Sequence, residues 1–264
     1  MIGVATGLLS GLMGVGGGII AVPAMVAFLG VTQHKAHGTS LAMMILTATT
    51  SAIIYTTRGQ VNWGLALLLA IGTVSGAYFG ARLMNRVPAR RLRQVFGLFL
   101  LLVGLKMALS VGGPSAGSAA QPLLSLATIV PGLLIGLVAG VLSGLLGIGG
   151  GVVMVPAMVY FMGIDQHTAQ GVSLAVIVPT AITGGYAHYK RGNVLVQLAL
   201  VLGLAAVVGA FAGAWVSGML PAEALQRGFG VFVIAVAIRM VVVEIRASRQ
   251  PRPAEAVASA AKEA

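Results

Sequence analysis

Two glycine runs are the first candidates for chemistry. Gly14-x-Gly16-Gly17-Gly18 and Gly147-x-Gly149-Gly150-Gly151 each lie between apolar segments. Glycine turns where other residues clash, so such a run breaks a helix and frees backbone N–H groups. Free N–H groups leading into a helix N-terminus favour an anion. Inside a membrane, broken backbone survives only against protein or a watery cavity. The competing reading is close helix packing, as in GxxxG seams. Two copies, each followed by a short apolar segment and a proline (Pro23, Pro156), favour Gly16, Gly17, Gly18, Gly149, Gly150 and Gly151 as substrate-binding. The likeness to a nucleotide-binding GxGxxG is spurious, because the surrounding pattern contains no βαβ unit.

The second candidate is Gln33-His34-x-Ala36-His37-Gly38-Thr39-Ser40, matched by Gln166-His167-x-Ala169-Gln170-Gly171-Val172-Ser173. It offers neutral donors, rings that can take a proton, and hydroxyls able to cap helix amides. One reading is an interfacial loop with capping residues. The other is an anion-contacting bend formed by Gln33, His34, Thr39, Ser40, Gln166, His167 and Ser173. His34 and His37 lie one helical turn apart, but no acidic or sulfur ligand lies near them, so no metal site is expected. His188, between Tyr186 and Tyr189, is either a proton carrier or an anchor in an aromatic belt. His37 is the other candidate proton carrier. Lys106 and Arg239 sit late in matching spans and read as snorkelling residues.

Composition fixes the medium. Of 264 residues, 58% are hydrophobic and 8% charged, with mean hydropathy +1.01. Soluble proteins are about a quarter charged, so a soluble enzyme is excluded. There are no cysteines, which removes disulfides, thiolate metal sites and thiol catalysis. The spans contain no aspartate, and the one glutamate near a span is Glu244. Cation pathways usually use buried carboxylates, so an anion is the favoured cargo. Without a Walker A pattern, ATP is not the direct energy source. Without a GxSxG elbow, an intramembrane hydrolase is disfavoured. Net charge is +11, but the basic residues sit between apolar runs, which argues against nucleic acid and for a membrane orientation signal.

The elements that would position these residues form a repeat at an offset of 133. Residues 7–18 (GLLSGLMGVGGG) match 140–151 (GVLSGLLGIGGG), and 23 of 36 positions are identical over 7–42. Each half is expected to carry an apolar segment into the glycine run (1–13; 123–147) and a half-helix (18–30; 151–163). A polar bend follows (31–37; 164–170), then three spans (38–56, 61–84, 93–110; 171–189, 195–217, 227–246). Thus 1–110 and 123–246 are the two transmembrane repeats, 111–122 the linker, and 247–264 a disordered cytoplasmic tail. The first half has 13 residues before its glycine run and the second about 24. Either that leading helix is short or the natural chain starts upstream of Met1. No basic segment precedes it, so no cleavable signal peptide is expected.

Charge sets the expected orientation. If each half crosses an odd number of times, 13 Lys/Arg share one side and Arg58, Lys106 and Arg227 the other; an even number divides them 7 against 9. The positive-inside rule selects the odd count, hence inverted repeats with the C-terminus cytoplasmic. Inverted repeats with broken helices are typical of secondary transporters.

At these residues the chain resembles the TauE/SafE permeases, the sulfite exporter family. The resemblance rests on the doubled GxGGG-x₄-Pro (Gly14–Pro23, Gly147–Pro156), the doubled Gln-His-x-Ala-x-Gly-x-Ser-Leu (Gln33–Leu41, Gln166–Leu174) and the later Arg-Gly pairs, and covers about 1–246. It implies a multi-pass bacterial inner-membrane permease moving sulfite, sulfonates or related small organic anions outward, coupled to the proton gradient. The sequence reading is therefore an all-α polytopic bundle of two inverted repeats, with half-helices after GxGGG and Pro23 and Pro156 as helix breaks. Its expected partners are a small anion and the lipid bilayer, with homodimerisation left open and no cofactor or nucleic acid. Other readings are an anion channel and a non-transporting membrane assembly protein.

Overall fold

The computed structural model describes residues 1–83, 89–109, 126–146 and 149–249. These form ten helices and no strand. They are α1 (Ile2–Met13), α2 (Gly18–Leu29), α3 (Gln33–Thr57), α4 (Trp63–Leu83), α5 (Ala89–Leu109), α6 (Leu126–Leu146), α7 (Gly151–Phe161), α8 (Gln166–Lys190), α9 (Val196–Ser217) and α10 (Ala222–Arg249). The protein is an all-α bundle. Among the described residues, α3, α8 and α9 are each long and apolar enough to cross a membrane.

Helix boundaries follow local chemistry, and several differ from the sequence reading. The expected bends over 31–37 and 164–170 are not bends. α3 begins at Gln33 and α8 at Gln166, so both Gln-His pairs lie in the first helical turn. In α8 the reason is Asp165, whose side chain accepts from the His167 and Thr168 N–H groups at 3.0 and 3.1 Å and so caps the helix early. α5 starts at Ala89 and spans 21 residues, which removes the shortfall of the expected 93–110. α10 continues to Arg249, past the expected end at 246. The expected linker 111–122 and residues 250–264 lie outside the described residues, as does Gly147. The short helices are as expected, α2 with 12 residues and α7 with 11, but Pro23 and Pro156 lie inside them without breaking them; the breaks are made by the left-handed glycines that precede each helix.

The halves interlock rather than sit side by side. α1 packs along α9, and α6, its counterpart in the second half, packs along α4. Small residues let these backbones touch. A Cβ on Gly7 or Gly11 would overlap the carbonyl of Ala206 or Ala210, and one on Gly209 or Gly213 would overlap that of Val4 or Leu8. The second seam repeats this, with Gly76 against Leu137 and Gly140 against Thr73. Contact order along these seams shows α1 parallel to α9 and α4 parallel to α6. Matched helices run the opposite way. Gly38 of α3 lies against His188 of α8, and Gly184 against Leu41, so α3 and α8 are antiparallel. α5 and α10 are antiparallel too, with Gly104 against Ile234 and Gly230 against Ala108.

One departure from symmetry is plain. α7 is buried from Gly151 to Val159, whereas α2 buries only Gly18, Ala21, Val22 and Met25. The α5–α10 pair leans on α7. Lys106 Nζ lies 4.4 Å from the Tyr160 ring centroid, and Gln226 Nε2 donates to Tyr160 Oη at 3.4 Å.

The seams generate a prediction. Gly140→Val places a branched side chain into the Thr73 backbone, and overpacking of this kind costs about 1–3 kcal/mol. The variant is expected to melt well below the parent in detergent, and an unchanged melt would show that the seam yields.

Candidate functional site

Both helix breaks form as elbows of left-handed backbone. Gly14, Gly16 and Gly17 have φ of 71°, 72° and 79°, and Gly149 and Gly150 have 82° and 75°. Only glycine adopts such values routinely, so these positions are fixed in type by the break. The elbows are buried and meet in the centre of the bundle. A Cβ on Gly16 would lie 2.6 Å from the Met44 methyl, and one on Gly149 would overlap the same methyl. Ser173 Oγ donates to the Gly14 carbonyl at 2.8 Å. A Cβ on Gly151 would lie 2.8 Å from that carbonyl oxygen and 2.9 Å from the Val15 Cα.

Several backbone N–H groups here reach no acceptor among the described residues. Regular bonding resumes only at Ile20 and Ala21, which donate to the Gly17 carbonyl at 3.1 and 3.0 Å. The N–H groups of Val15, Gly16, Gly17, Gly18 and Ile19 reach no acceptor among the described residues. In the second elbow, bonding resumes at Val153 and Met154 on the Gly150 carbonyl, and the N–H groups of Gly149 to Val152 reach none. The first N–H groups of any helix lack an intrahelical acceptor, and the elbows add those of the preceding glycine turns to the row.

The residues read from sequence divide between this centre and the two ends. Ser40 and Ser173 are buried near the elbows, and Ser40 Oγ lies 3.9 Å from Met44 Sδ. Thr39 is buried but occupied, accepting from the Leu195 N–H at 3.0 Å at the start of α9. Gln33 and His34 are exposed at the opening of α3. Because that segment is helical, Gln33 stands about 10 Å along the axis from Ser40. Gln166 is 2% exposed, with both amide atoms unpartnered among the described residues, and His167 is half-buried, both at the opposite end of the bundle. The residues expected to form one anion-contacting bend are therefore spread along the bundle axis. His188 is half-buried against Gly38 of α3, while Tyr186 and Tyr189 are exposed, so His188 points inward and its neighbours outward.

Sequence reasoning missed a buried polar cluster at one end. Tyr55 Oη donates to Gln170 Oε1 at 2.9 Å, and lies 3.1 Å from the Gly11 carbonyl and 2.7 Å from Ser217 Oγ. Arg58 closes that end of α9 by donating to the Ala214 and Trp215 carbonyls at 2.7 and 3.2 Å. Thr6, Ser10 and Ser51 are fully buried with hydroxyls that have no partner among the described residues. The available signal was the repeat itself: Tyr55 matches His188, and Gln170 matches His37. An apolar groove of 640 Å³ between α3, α4 and α8, with Trp63, Leu67 and Pro179 in its wall, offers no comparable set of donors.

Comparison with known proteins agrees with this architecture. The sequence matches the family described as Sulfite exporter TauE/SafE over residues 1–107 and 132–262. The chain belongs to the TauE/SafE family. It is 30% identical to a probable membrane transporter protein, YunE, of Bacillus subtilis over 266 residues, covering 93% of each chain. It is 31% identical to a probable membrane transporter protein of Xylella fastidiosa (strain Temecula1) over 246 residues, covering 91% of each. A probable membrane transporter protein of Haemophilus influenzae is 28% identical, covering 91% of this chain and 96% of the relative. No solved structure matches. The protein is thus a multi-pass membrane transporter.

Tyr55 gives a direct test of the cluster. Tyr55→Phe removes a buried hydroxyl shared by three groups and is expected to cost about 1–3 kcal/mol. A lowered melting temperature with unchanged oligomeric size would report it. A parental melt would mean that the cluster is energetically idle.

Proposed function

We propose that this transporter exports small oxyanions, sulfite or an organosulfonate among them, by proton-coupled alternating access around the paired elbows. The observation that carries the reading is the set of buried N–H groups at the two elbows that reach no acceptor among the described residues. An oxyanion satisfies several such donors at once, and preorganised N–H groups bind it without a cationic side chain. Gly16, Gly17, Gly18, Gly149, Gly150 and Gly151 would hold the anion, with Ser40 and Ser173 beside it. Gln33 and His34 at one mouth, and Gln166 and His167 at the other, would meet it on entry or exit rather than at the centre.

The antiparallel run of matched helices supports halves inverted across the bilayer. Cation placement supports the orientation. Lys35, Lys190 and Arg191 lie at the end where α3 starts and α8 stops, and Arg58, Lys106 and Arg227 lie at the other. The first end would face the cytoplasm of a bacterial inner membrane, together with the C-terminus. His37 on α3 and His188 on α8, which packs against the adjacent Gly38, lie toward that end and would carry the coupled proton. Pro23 and Pro156, inside the short helices, would let them move as the mouths open in turn.

Gly150 provides the functional test. A Cβ there finds 3.4 Å to its nearest atom, the Ala139 carbonyl oxygen, so Gly150→Ala meets only the left-handed backbone, at about 1–2 kcal/mol. The protein is expected to stay folded while sulfite efflux from loaded proteoliposomes falls sharply. Undiminished efflux would defeat the elbow assignment. For orientation, single cysteines replacing Lys35 and Arg58 in this cysteine-free chain should be labelled from opposite sides of the membrane. Labelling from one side would defeat the inverted arrangement.

A further inference from the structure

Resting on the anion reading above, we infer that the cargo is held as a monoanion, off the pseudo-symmetry axis, in a pocket of neutral donors against the first elbow. Thr6 and Ser10 lie one turn apart on α1, both fully buried. Hydroxyls in these helices mostly donate back to their own helix, as those of Thr47, Thr50, Thr73 and Thr180 do. Thr6 and Ser10 do not, and have no partner among the described residues. Both border the elbow: a Cβ on Gly17 would lie 2.7 Å from Thr6 Cγ2 and 3.4 Å from Ser10 Cβ.

Gln170 approaches the same elbow from α8, its Cα 2.8 Å from where a Cβ on Gly14 would stand. Its Oε1 accepts from Tyr55 and from Ser217 at 2.9 and 3.4 Å. Its Nε2 is left buried without a partner among the described residues. Thr6, Ser10 and Gln170, each with a buried polar atom that has no partner among the described residues, thus border one elbow beside the N–H groups of Val15 to Gly18. The second elbow does not repeat the set. At the matching positions stand Ala139 for Thr6, Ser143 for Ser10 and His37 for Gln170, so the donors favour one side of the pseudo-axis.

None of these donors is charged. Arg58, three residues past Tyr55, spends its guanidinium on the end of α9. The cost of stripping water from an ion grows with the square of its charge, whereas its attraction to neutral dipoles grows only in proportion to it. A neutral pocket therefore favours singly charged oxyanions, such as a sulfonate or hydrogen sulfite, over sulfate or the sulfite dianion.

The test is binding by the purified full chain in nanodiscs, with methanesulfonate, sulfate and sulfite as probes across the second ionisation of sulfite. Methanesulfonate should bind at least about tenfold tighter than sulfate. Its affinity should hold steady with pH, while that of sulfite weakens as pH rises and the dianion takes over. Tyr55, Arg58, Asp165 and His167 are the titratable groups around this end, and methanesulfonate, whose charge is fixed, reports any contribution from them. Ser10→Ala and Thr6→Val should each weaken methanesulfonate roughly tenfold. Without anion both should melt no lower than the parent, since each removes a hydroxyl that has no partner. Equal binding of sulfate would overturn the charge selectivity, and unchanged affinity in both variants would overturn the location. A lowered melt in both would make the hydroxyls structural and also overturn it. Failure of every anion to bind would instead bring down the permease reading itself.

Discussion

A backbone N–H buried in an apolar bundle has nowhere to send its proton unless something is brought to it. This chain breaks two helices in its interior and leaves a row of such donors at each break. The rest of the architecture follows from keeping that arrangement dry and compact. Met44 closes over both elbows with a single methyl group, Ser173 ties one elbow to α8, and α7 is buried along nearly its whole length. Methionine suits this place because its side chain is long, unbranched and soft.

Glycine does two separate jobs here. In the α1–α9 and α4–α6 seams it is helical and simply absent as a side chain, so that carbonyls of one helix rest on the backbone of another. At the elbows it has left-handed dihedrals. The seams join the first helix of each half to the fourth of the other, so neither half closes its own core. The elbows are brought face to face by that exchange.

Duplication gives two similar mouths, and divergence has made them unlike. At one end Tyr55, Gln170 and Ser217 form a buried, uncharged, hydrogen-bonded set. At the other the matching positions carry His188 and His37, beside an end rich in basic residues. A strictly symmetric dimer of halves would have the same chemistry at both faces.

Much was legible without coordinates. Composition dictated a membrane bundle, since so few charges cannot solvate a surface. The offset of 133 gave the duplication, and thirteen-residue apolar segments gave the half-helices, because such lengths cannot span a bilayer. The glycine runs gave the breaks. The Gln-His segments misled, because polar residues after an apolar run read as a bend, whereas the Asp165 cap starts α8 at Gln166 and α3 likewise starts at Gln33. The repeat pointed to Tyr55 and Gln170, but nothing in the sequence singled out Thr6 and Ser10. Threonine and serine on an apolar helix usually satisfy themselves, and only the neighbouring helices determine which are left without a partner. Local sequence settled where the backbone must break. Which side chains face the break depended on a cross-packing of distant helices that no local pattern encodes.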